Sequence, residues 1–454
     1  MKTVDVQRKE VRSFRKIVMG DGCVVSRRHK RRPIMKEKWR RFGLCISIAL
    51  ICTMALGGYA LMSKKATAAP KEIKIAFVYP LSGALARNGN LMVQGGKAAM
   101  GWVNDNGGIK SLGGAKLVPV IADTGATVEG AASATERVCR DPDIAMVMGC
   151  WASSFTMSST EITERMGIPQ FTISYADPLT TRGFKWGFYV VPPSSAQAEM
   201  GVANVIGLAR SAKQTIKTAM LVGDNQAASK GFYDAVRILF PSMGIKIIDE
   251  EVWAMGTLTD ATPVMQKVKT TKPDIVVFMA TAISEAQMCL MKKKELGINT
   301  PFICNGGWAA DPSFQQVGAQ VLEGMITISP LFPTKVTPKD WITRALDQCA
   351  KEYSKEPYVG QELGYPWGLI PIMAEVLERA GSTDHKVIRD TASKLDIHDV
   401  PATRYCPKQG IAFDETGRIA KKYQGVMLVQ WQGGVPKTVY PPELALAKPM
   451  WVVK

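Results

Sequence analysis

The chain has 454 residues, enough for two or three domains with sizeable cores, and its 46% hydrophobic and 21% charged residues exclude a disordered, collagenous or low-complexity protein. A formal net charge of +17 points at first to a nucleic-acid or membrane partner. Seventeen Lys and Arg against four Asp and Glu fall within residues 1–68, which leaves forty against thirty-six beyond them, so the basicity belongs to a leader and not to a nucleic-acid surface.

The leader has the plan of a secretory signal. A basic Lys36-Glu-Lys-Trp-Arg-Arg41 precedes an apolar run over 42–62, and Ala66 and Ala68 then give the A-x-A spacing of a cleavage site. Met35 is a natural start for that signal, so residues 1–34 read as an extended or mis-assigned start and 35–68 as the signal peptide. The competing reading is an uncleaved anchor, since about 20 apolar residues span a bilayer. Cys52 follows Ala49-Leu-Ile51, a poor match to the small residues before a lipidated Cys.

After Ala68 the elements alternate. A β-rich run over 73–79 ends at Pro80, and small and apolar residues then recur at helical spacing over 91–103 until Asn104-Asp-Asn-Gly-Gly108 stops them. Strands follow over 116–123, 144–148 and 170–174, with helices over 128–140 and 155–166 between them. After Val190-Val-Pro-Pro193 a second series begins with a helix over 196–210. It continues with strands over 216–222, 245–252, 274–280 and 301–304, interleaved with helices from Gly231, from Thr262 and up to Leu296. Strand and helix in alternation mean parallel sheets with right-handed crossovers, and two successive series mean two lobes. A strand over 324–328, long helices over 338–353, 363–379 and 385–394, and a hairpin over 425–431 turning at Gly433-Gly434 complete the chain.

Six cysteines lie beyond the leader: Cys139, Cys150, Cys289, Cys304, Cys349 and Cys406. An even number in an exported chain permits disulfides. For Cys139 and Cys150, about 6 strand residues put the pair roughly 20 Å apart, beyond disulfide reach. No spacing matches a zinc site, and His385 and His398 are the only histidines past the leader, so neither metal nor cofactor is expected.

The stretch Ala145-Met-Val-Met-Gly-Cys-Trp-Ala-Ser-Ser-Phe155 reads as a buried strand, a turn and a helix start. Such a junction points unpaired N–H groups and the positive end of a helix dipole at one spot, and Ser153 and Ser154 add hydroxyls. A carboxylate fits there; so does a plain helix cap.

Five motifs in register carry a resemblance: Ile73-Lys-Ile-Ala-Phe-Val-Tyr-Pro-Leu-Ser-Gly83, Asn106-Gly-Gly-Ile109, Gly149-Cys-Trp-Ala-Ser153, Leu179-Thr-Thr-Arg-Gly183 and Phe413-Asp-Glu-Thr-Gly417. Together they resemble the type I periplasmic binding proteins of ABC importers, most of all the branched-chain amino acid (Leu/Ile/Val) group. The resemblance implies an α/β fold of two lobes, each a mainly parallel sheet flanked by helices, with three crossovers near Pro192, Pro330 and Pro407 and a ligand cleft between. Lobe one would take 71–191 plus 330–406, and lobe two 192–329 plus 407–454. Ligands of open α/β sheets bind beyond the carboxyl ends of the strands, in accord with that cleft.

By the same resemblance the ligand carboxylate meets Ser153, with Trp151 and Ala152 before it, and the loop Ser174-Tyr-Ala-Asp-Pro178, where Ala176 offers its backbone. Relatives often hold an acid facing the ligand ammonium in the loop that matches Asn305-Gly-Gly-Trp308, and none stands there. Asp177 and Asp224 are the candidates left for that role, Asp177 being equally a turn former. Arg87 and Asn88 occupy the place of a usual aromatic residue; Arg87 would pair bidentately with an acid or stay solvated. Trp151, Tyr175 and Trp308 are candidate aromatic walls, or core. An anion seat without an ammonium seat suggests a carboxylic acid or amide with an apolar body, although amino acids stay open.

The implied function is an exported, periplasmic solute-binding subunit that passes a small molecule to an inner-membrane permease, touching membrane only through the leader. A sensor domain feeding a signalling partner is the alternative. A hydrolase using Ser153 or Cys150 lacks the G-x-S-x-G elbow and a neighbouring His.

Overall fold

The computed structural model describes residues 70–331 and 358–451, with Ala345, Gln348 and Lys351 between them. The leader, the helix expected over 338–353 and Cys349 lie outside these residues, apart from those three positions.

Five strands form the first sheet: β1 (Glu72–Tyr79), β2 (Lys116–Asp123), β3 (Ile144–Gly149), β4 (Gln170–Thr172) and β5 (Gly187–Tyr189). Their order is β2-β1-β3-β4-β5, parallel throughout. β3 is buried along its whole length, as its unbroken apolar run requires of a strand covered on both faces. The helices α1 (Ala86–Asp105), α2 (Val128–Cys139) and α3 (Ser153–Met166) supply that cover. Thr127 Oγ1 accepts from the Gly130 N–H at 2.9 Å to start α2, and Gly167, at φ +68°, ends α3.

Pro192 and Pro193 carry the chain to the second series, where Pro193 is the N-cap of α4 (Ser194–Ser211). The second sheet holds β6 (Thr218–Asp224), β7 (Lys246–Trp253), β8 (Ile275–Met279), β9 (Phe302–Asn305), β10 (Ile326–Ser329), β13 (Met427–Gln432) and β14 (Val435–Tyr440). Their order is β14-β13-β10-β9-β8-β6-β7. The core strands are parallel, whereas β13 is antiparallel to both β10 and β14. Flanking helices are α5 (Ala227–Ser242), α6 (Thr262–Thr271) and α7 (Ile283–Glu295). Gly433 and Gly434, both at positive φ, close the expected two-residue hairpin.

Three departures matter for the site. The helix expected over 363–379 is broken: Gln361–Gly364 is one helical turn, Tyr365–Gly368 a tighter one, and only α8 (Ile370–Ala380) is regular; α9 (His385–Ala392) follows. Pro366 lacks the N–H that a continuous helix would use. Second, β5, β11 (Asp396–His398) and β12 (Gly410–Ala412) are three residues each, too short for a periodic signal. Third, the chain does not leave the first lobe at Pro407. β12 pairs with β11, Arg418 bridges to Tyr189 of β5, and Phe413 packs on Phe188 at 5.1 Å, so residues 410–423 stay with the first sheet. The crossing falls between Tyr423 and Met427.

Cys139, Cys150, Cys289, Cys304 and Cys406 are buried free thiols. The Cys150 thiol meets the hydroxyls of Ser159 and Thr135, one turn before Cys139, so the strand-length separation overstates their distance.

Candidate functional site

β3 ends in Gly149, at φ +151°, where a Cβ would stand 2.2 Å from the Val78 carbonyl oxygen. Only glycine tolerates that approach. The next residues turn the chain into α3. Trp151 takes φ +74°, Ser174 Oγ donates to its carbonyl at 3.0 Å, and Cys150 N–H donates to Thr156 Oγ1 at 3.0 Å. Gln170 Nε2 donates to the Gly149 carbonyl at 2.9 Å, while its Oε1 accepts from Ser159 and Thr163. Tied on both sides, the turn brings Trp151, Ala152 and Ser153 to the head of α3.

Ser153 is buried, and its Oγ accepts from the Tyr175 and Ala176 N–H groups at 3.2 and 3.3 Å. With both lone pairs engaged, Ser153 offers the cavity its hydroxyl proton, backed by the positive end of the helix dipole. Ser154 does something else: its Oγ accepts from the Ala227 N–H of α5 at 3.2 Å, a bond between the lobes.

The loop after β4 corrects part of the sequence reading. The Ser174 hydroxyl is spent on Thr156, Thr172 and the Trp151 carbonyl, so it positions the turn and does not face the cavity. Ala176 gives its N–H to Ser153 and its carbonyl to Arg418. Asp177 accepts from the Ser195 N–H at 3.2 Å and from the Ser195 hydroxyl, capping α4 across the first crossing. Its carboxylate is turned to α4, and Asp177 is not among the residues that line the cavity. Asp177→Ala is expected to lower stability by about 1 kcal/mol in denaturant unfolding without altering ligand preference.

Opposite, Asp224 at the end of β6 is fully buried and bonded within its own lobe. It accepts from Gln226 N–H (3.0 Å), Ser229 Oγ (2.9 Å) and Thr281 N–H (2.5 Å), which ties the loops after β6 and β8 together. Burial, opposed by those bonds, pushes its carboxyl up to about 6. Asp224 thus orients Gln226 and Thr281, and three of its roughly four acceptor sites are taken up in doing so. Trp308 donates from Nε1 to the Asn305 carbonyl at 3.0 Å and packs edge-on against Phe278, centroids 5.6 Å apart.

Arg87 also reaches an internal partner. Its Nη2 and Nε lie 2.8 and 3.1 Å from Asp311 Oδ1, an ion pair across the lobes in place of a ligand contact. Asn88 is fully buried one residue on, and it faces Glu362.

The cavity that remains is lined by Trp151, Ala152, Ser153, Ile173 and Tyr175 from lobe one and by Gln226, Ala228, Thr281, Gly307 and Trp308 from lobe two. Glu362 and Tyr365 of the broken helix close it. Its free volume is ≈ 20 Å³, on the order of one water. A larger guest is admitted only when the lobes part.

A family model described as periplasmic binding protein matches residues 72–434. The chain belongs to the periplasmic binding protein family. Among curated relatives, "Leu/Ile/Val-binding protein homolog 8" of Brucella suis biovar 1 is 23% identical over 404 residues, spanning 86% of this chain and 96% of that one. Among solved structures, the leucine-binding protein LivK of Thermotoga maritima superposes with a TM-score of 0.67 at 18% identity, over 81% of this chain and 97% of its own. A solute-binding protein of R. palustris, solved with benzoate, gives 0.67 at 16% identity over 84% and 98%. The two-lobe type I architecture is thereby shown.

Within this periplasmic binding protein, sequence reasoning placed Ser153, Ala152, Trp151, Tyr175 and Trp308 on the cavity, and the structure brings those five together. It missed Gln226, Thr281, Glu362 and Arg418. Glu362 had a signal, being the lone charge in the otherwise uncharged run 358–374. The family is a solute-binding one, and two details fit that chemistry better than hydrolysis. Burial pushes the Cys150 thiol up to about 12, and His385 Nε2 is taken by the Ile144 carbonyl at 2.7 Å. Among the described residues no helix is long and apolar enough to cross a membrane.

Proposed function

We propose that the protein is the exported substrate-binding subunit of an ABC importer, which closes on a small carboxylate-bearing solute between its lobes and hands it to a permease. The observation that carries this reading is Ser153. A buried hydroxyl at a helix head, its lone pairs filled by the Tyr175 and Ala176 N–H groups, aims its proton into a cavity with walls from both lobes. Such a group is matched to a carboxylate oxygen. Kinship supports the solute class: LivJ of Streptococcus pneumoniae was solved with isoleucine and a R. palustris relative with benzoate. The leader's basic, apolar, A-x-A order supports export. Capture follows from differential affinity, since a ligand touching both lobes stabilises the closed state alone.

A thermal-shift screen across branched-chain amino acids, amides, urea, and aliphatic and aromatic acids tests the reading, because a ligand of the folded state raises Tm. At least one carboxylate should do so. A screen in which only uncharged amides or urea act would sink the anion seat. Ser153→Ala should weaken the best carboxylate by about 1–2 kcal/mol, the scale of a charge-assisted hydrogen bond. Unchanged affinity would reduce Ser153 to a structural cap.

A further inference from the structure

Four carboxyl side chains among the described residues are buried: Asp224, Glu285, Asp311 and Glu362. Three are bonded. Asp224 has the partners given above, Glu285 accepts from Trp253 Nε1 and the Leu258 N–H, and Asp311 accepts from Arg87 and the Ser313 N–H. Glu362 differs. It is 0% exposed, it lines the ligand cavity, and neither carboxyl oxygen makes a well-formed hydrogen bond; the Asn88 amide and its own backbone N–H lie near enough to favour the ionised form. Beside it the second Asp311 oxygen and both polar atoms of the Asn88 amide also lack a well-formed hydrogen bond. Polar atoms from α1 and from lobe two therefore gather around Glu362, which alone of the three residues lines the cavity.

An ionised carboxylate in that position would be unsolvated, unpaired and repelled by Asp311. Burial and Asp311 both hold Glu362 well above the usual carboxylate range, with Arg87 and Asn88 opposing them, and the Tyr365 and Tyr175 hydroxyls face the same group. A neutral Glu362 fits the closed cleft as it stands. A cation placed beside it would reverse the balance, because the arriving charge supplies the partner that ionisation lacks.

We propose that Glu362 seats a cationic nitrogen of the ligand, opposite the Ser153 carboxylate seat, and releases its proton when that nitrogen docks. The exchange balances: a carboxylic acid and a ligand ammonium become a carboxylate–ammonium pair, and one proton goes to the buffer. The selected solute is then dipolar, and a plain acid of the same shape leaves Glu362 protonated and unsatisfied. This inference rests on the carboxylate reading of Ser153. It also replaces the expectation that the cleft lacks an ammonium seat, since the acid comes from residue 362 and not from the loop at 305–308.

The test uses matched pairs differing only in the α-ammonium: L-leucine and 4-methylpentanoate, L-phenylalanine and 3-phenylpropanoate, L-glutamate and glutarate. Each is titrated calorimetrically at neutral pH in phosphate and in Tris, so that the difference in observed heat counts protons. At least one amino acid should bind about tenfold or more tighter than its deamino analogue and release up to about one proton. Glu362→Gln should abolish the release and weaken the amino acid about tenfold, leaving the analogue within about threefold. Proton release that survives in the variant, or analogues that bind as tightly as the amino acids, would overturn the Glu362 proposal and leave the carboxylate seat standing. If none of the six binds, the carboxylate seat falls and Glu362 with it.

A ligand-free measurement guards against a misfolded variant. Between the ordinary Glu value and its raised folded value, folded Glu362 keeps a proton that the unfolded chain gives up, so its contribution to stability falls as pH rises through that window. The Gln variant should show a shallower slope, keeping only what other raised acids such as Asp224 contribute, and identical slopes would remove the buried neutral acid from the argument.

Discussion

Arg418→Met is expected to cost about 3 kcal/mol of stability and to abolish tight ligand binding. The guanidinium is fully buried beneath the ligand loop, where it donates to the carbonyls of Ser174 (3.0 Å), Ala176 (3.2 Å) and Val191 (3.4 Å) and lies 4.5 Å over the Tyr189 ring. Burial pulls its pKa down to about 10, so it stays charged at neutral pH. Met returns the desolvation cost of that charge but leaves the Ser174 and Val191 carbonyls without donors, at about 1–3 kcal/mol each, while the Ala176 carbonyl keeps the Leu179 N–H. The second effect should win, because the carbonyls cannot turn to water. Lys should fail as well, since one ammonium cannot reproduce a planar fork aimed at separate carbonyls. Urea unfolding and ligand titration check both readouts. A Met variant with wild-type affinity would mean that the Ser174–Ala176 loop holds its shape unaided.

Arg418 also shows where sequence reading stops. The motif Phe413-Asp-Glu-Thr-Gly417 was recognisable, but its purpose is a turn. Asp414 Oδ1 accepts from Thr416 N–H and Oγ1 and from the Arg418 N–H, and Gly417, at φ +78°, passes so close that a Cβ would sit 2.0 Å from the Gly187 carbonyl oxygen. The turn folds Arg418 under a loop more than two hundred residues earlier. No local period encodes that distance.

The strands and helices of the two series were legible because each buries one face or both, and burial writes a period of 2 or 3.6. β2, for instance, spans 116–123 as expected. The cavity's lobe-one wall was legible for a similar reason, since Gly149-Cys-Trp-Ala-Ser153 announces a strand–turn–helix junction in one stretch. What stayed open in the sequence was side-chain direction. Asp177, Asp224 and Arg87 stand in the right loops, yet each carboxylate or guanidinium found a protein partner first: Ser195, Thr281 and Asp311. Sequence gives the chemical type of a loop residue but not which neighbour wins it. Glu362 is the converse case, a charge that packing left unmatched because Pro366 breaks the helix and turns its first segment to the cleft.

Gly307→Val should separate closing from folding. Gly307 begins the 3₁₀ turn Gly307–Ala310 and needs no left-handed φ, so a side chain brings no backbone strain. In the closed cleft, though, its Cβ would stand 2.2 Å from Gln361 Oε1 and 2.5 Å from the Tyr365 hydroxyl. Those neighbours are pinned: the Tyr365 hydroxyl donates to Gln361 Oε1 at 2.9 Å, and Gln361 Nε2 bonds Ser329 Oγ at the second crossing. Overpacking at this scale costs about 1–3 kcal/mol, and lobes free to part avoid it by staying open. The penalty then falls on the liganded state, an affinity loss of about 10- to 100-fold, while the unliganded Tm moves by only a few degrees. Titration beside a melting curve reads both quantities. Equal losses in the two would mean that the added side chain disturbs lobe two itself, and wild-type affinity would mean that ligand is held with this part of the cleft open.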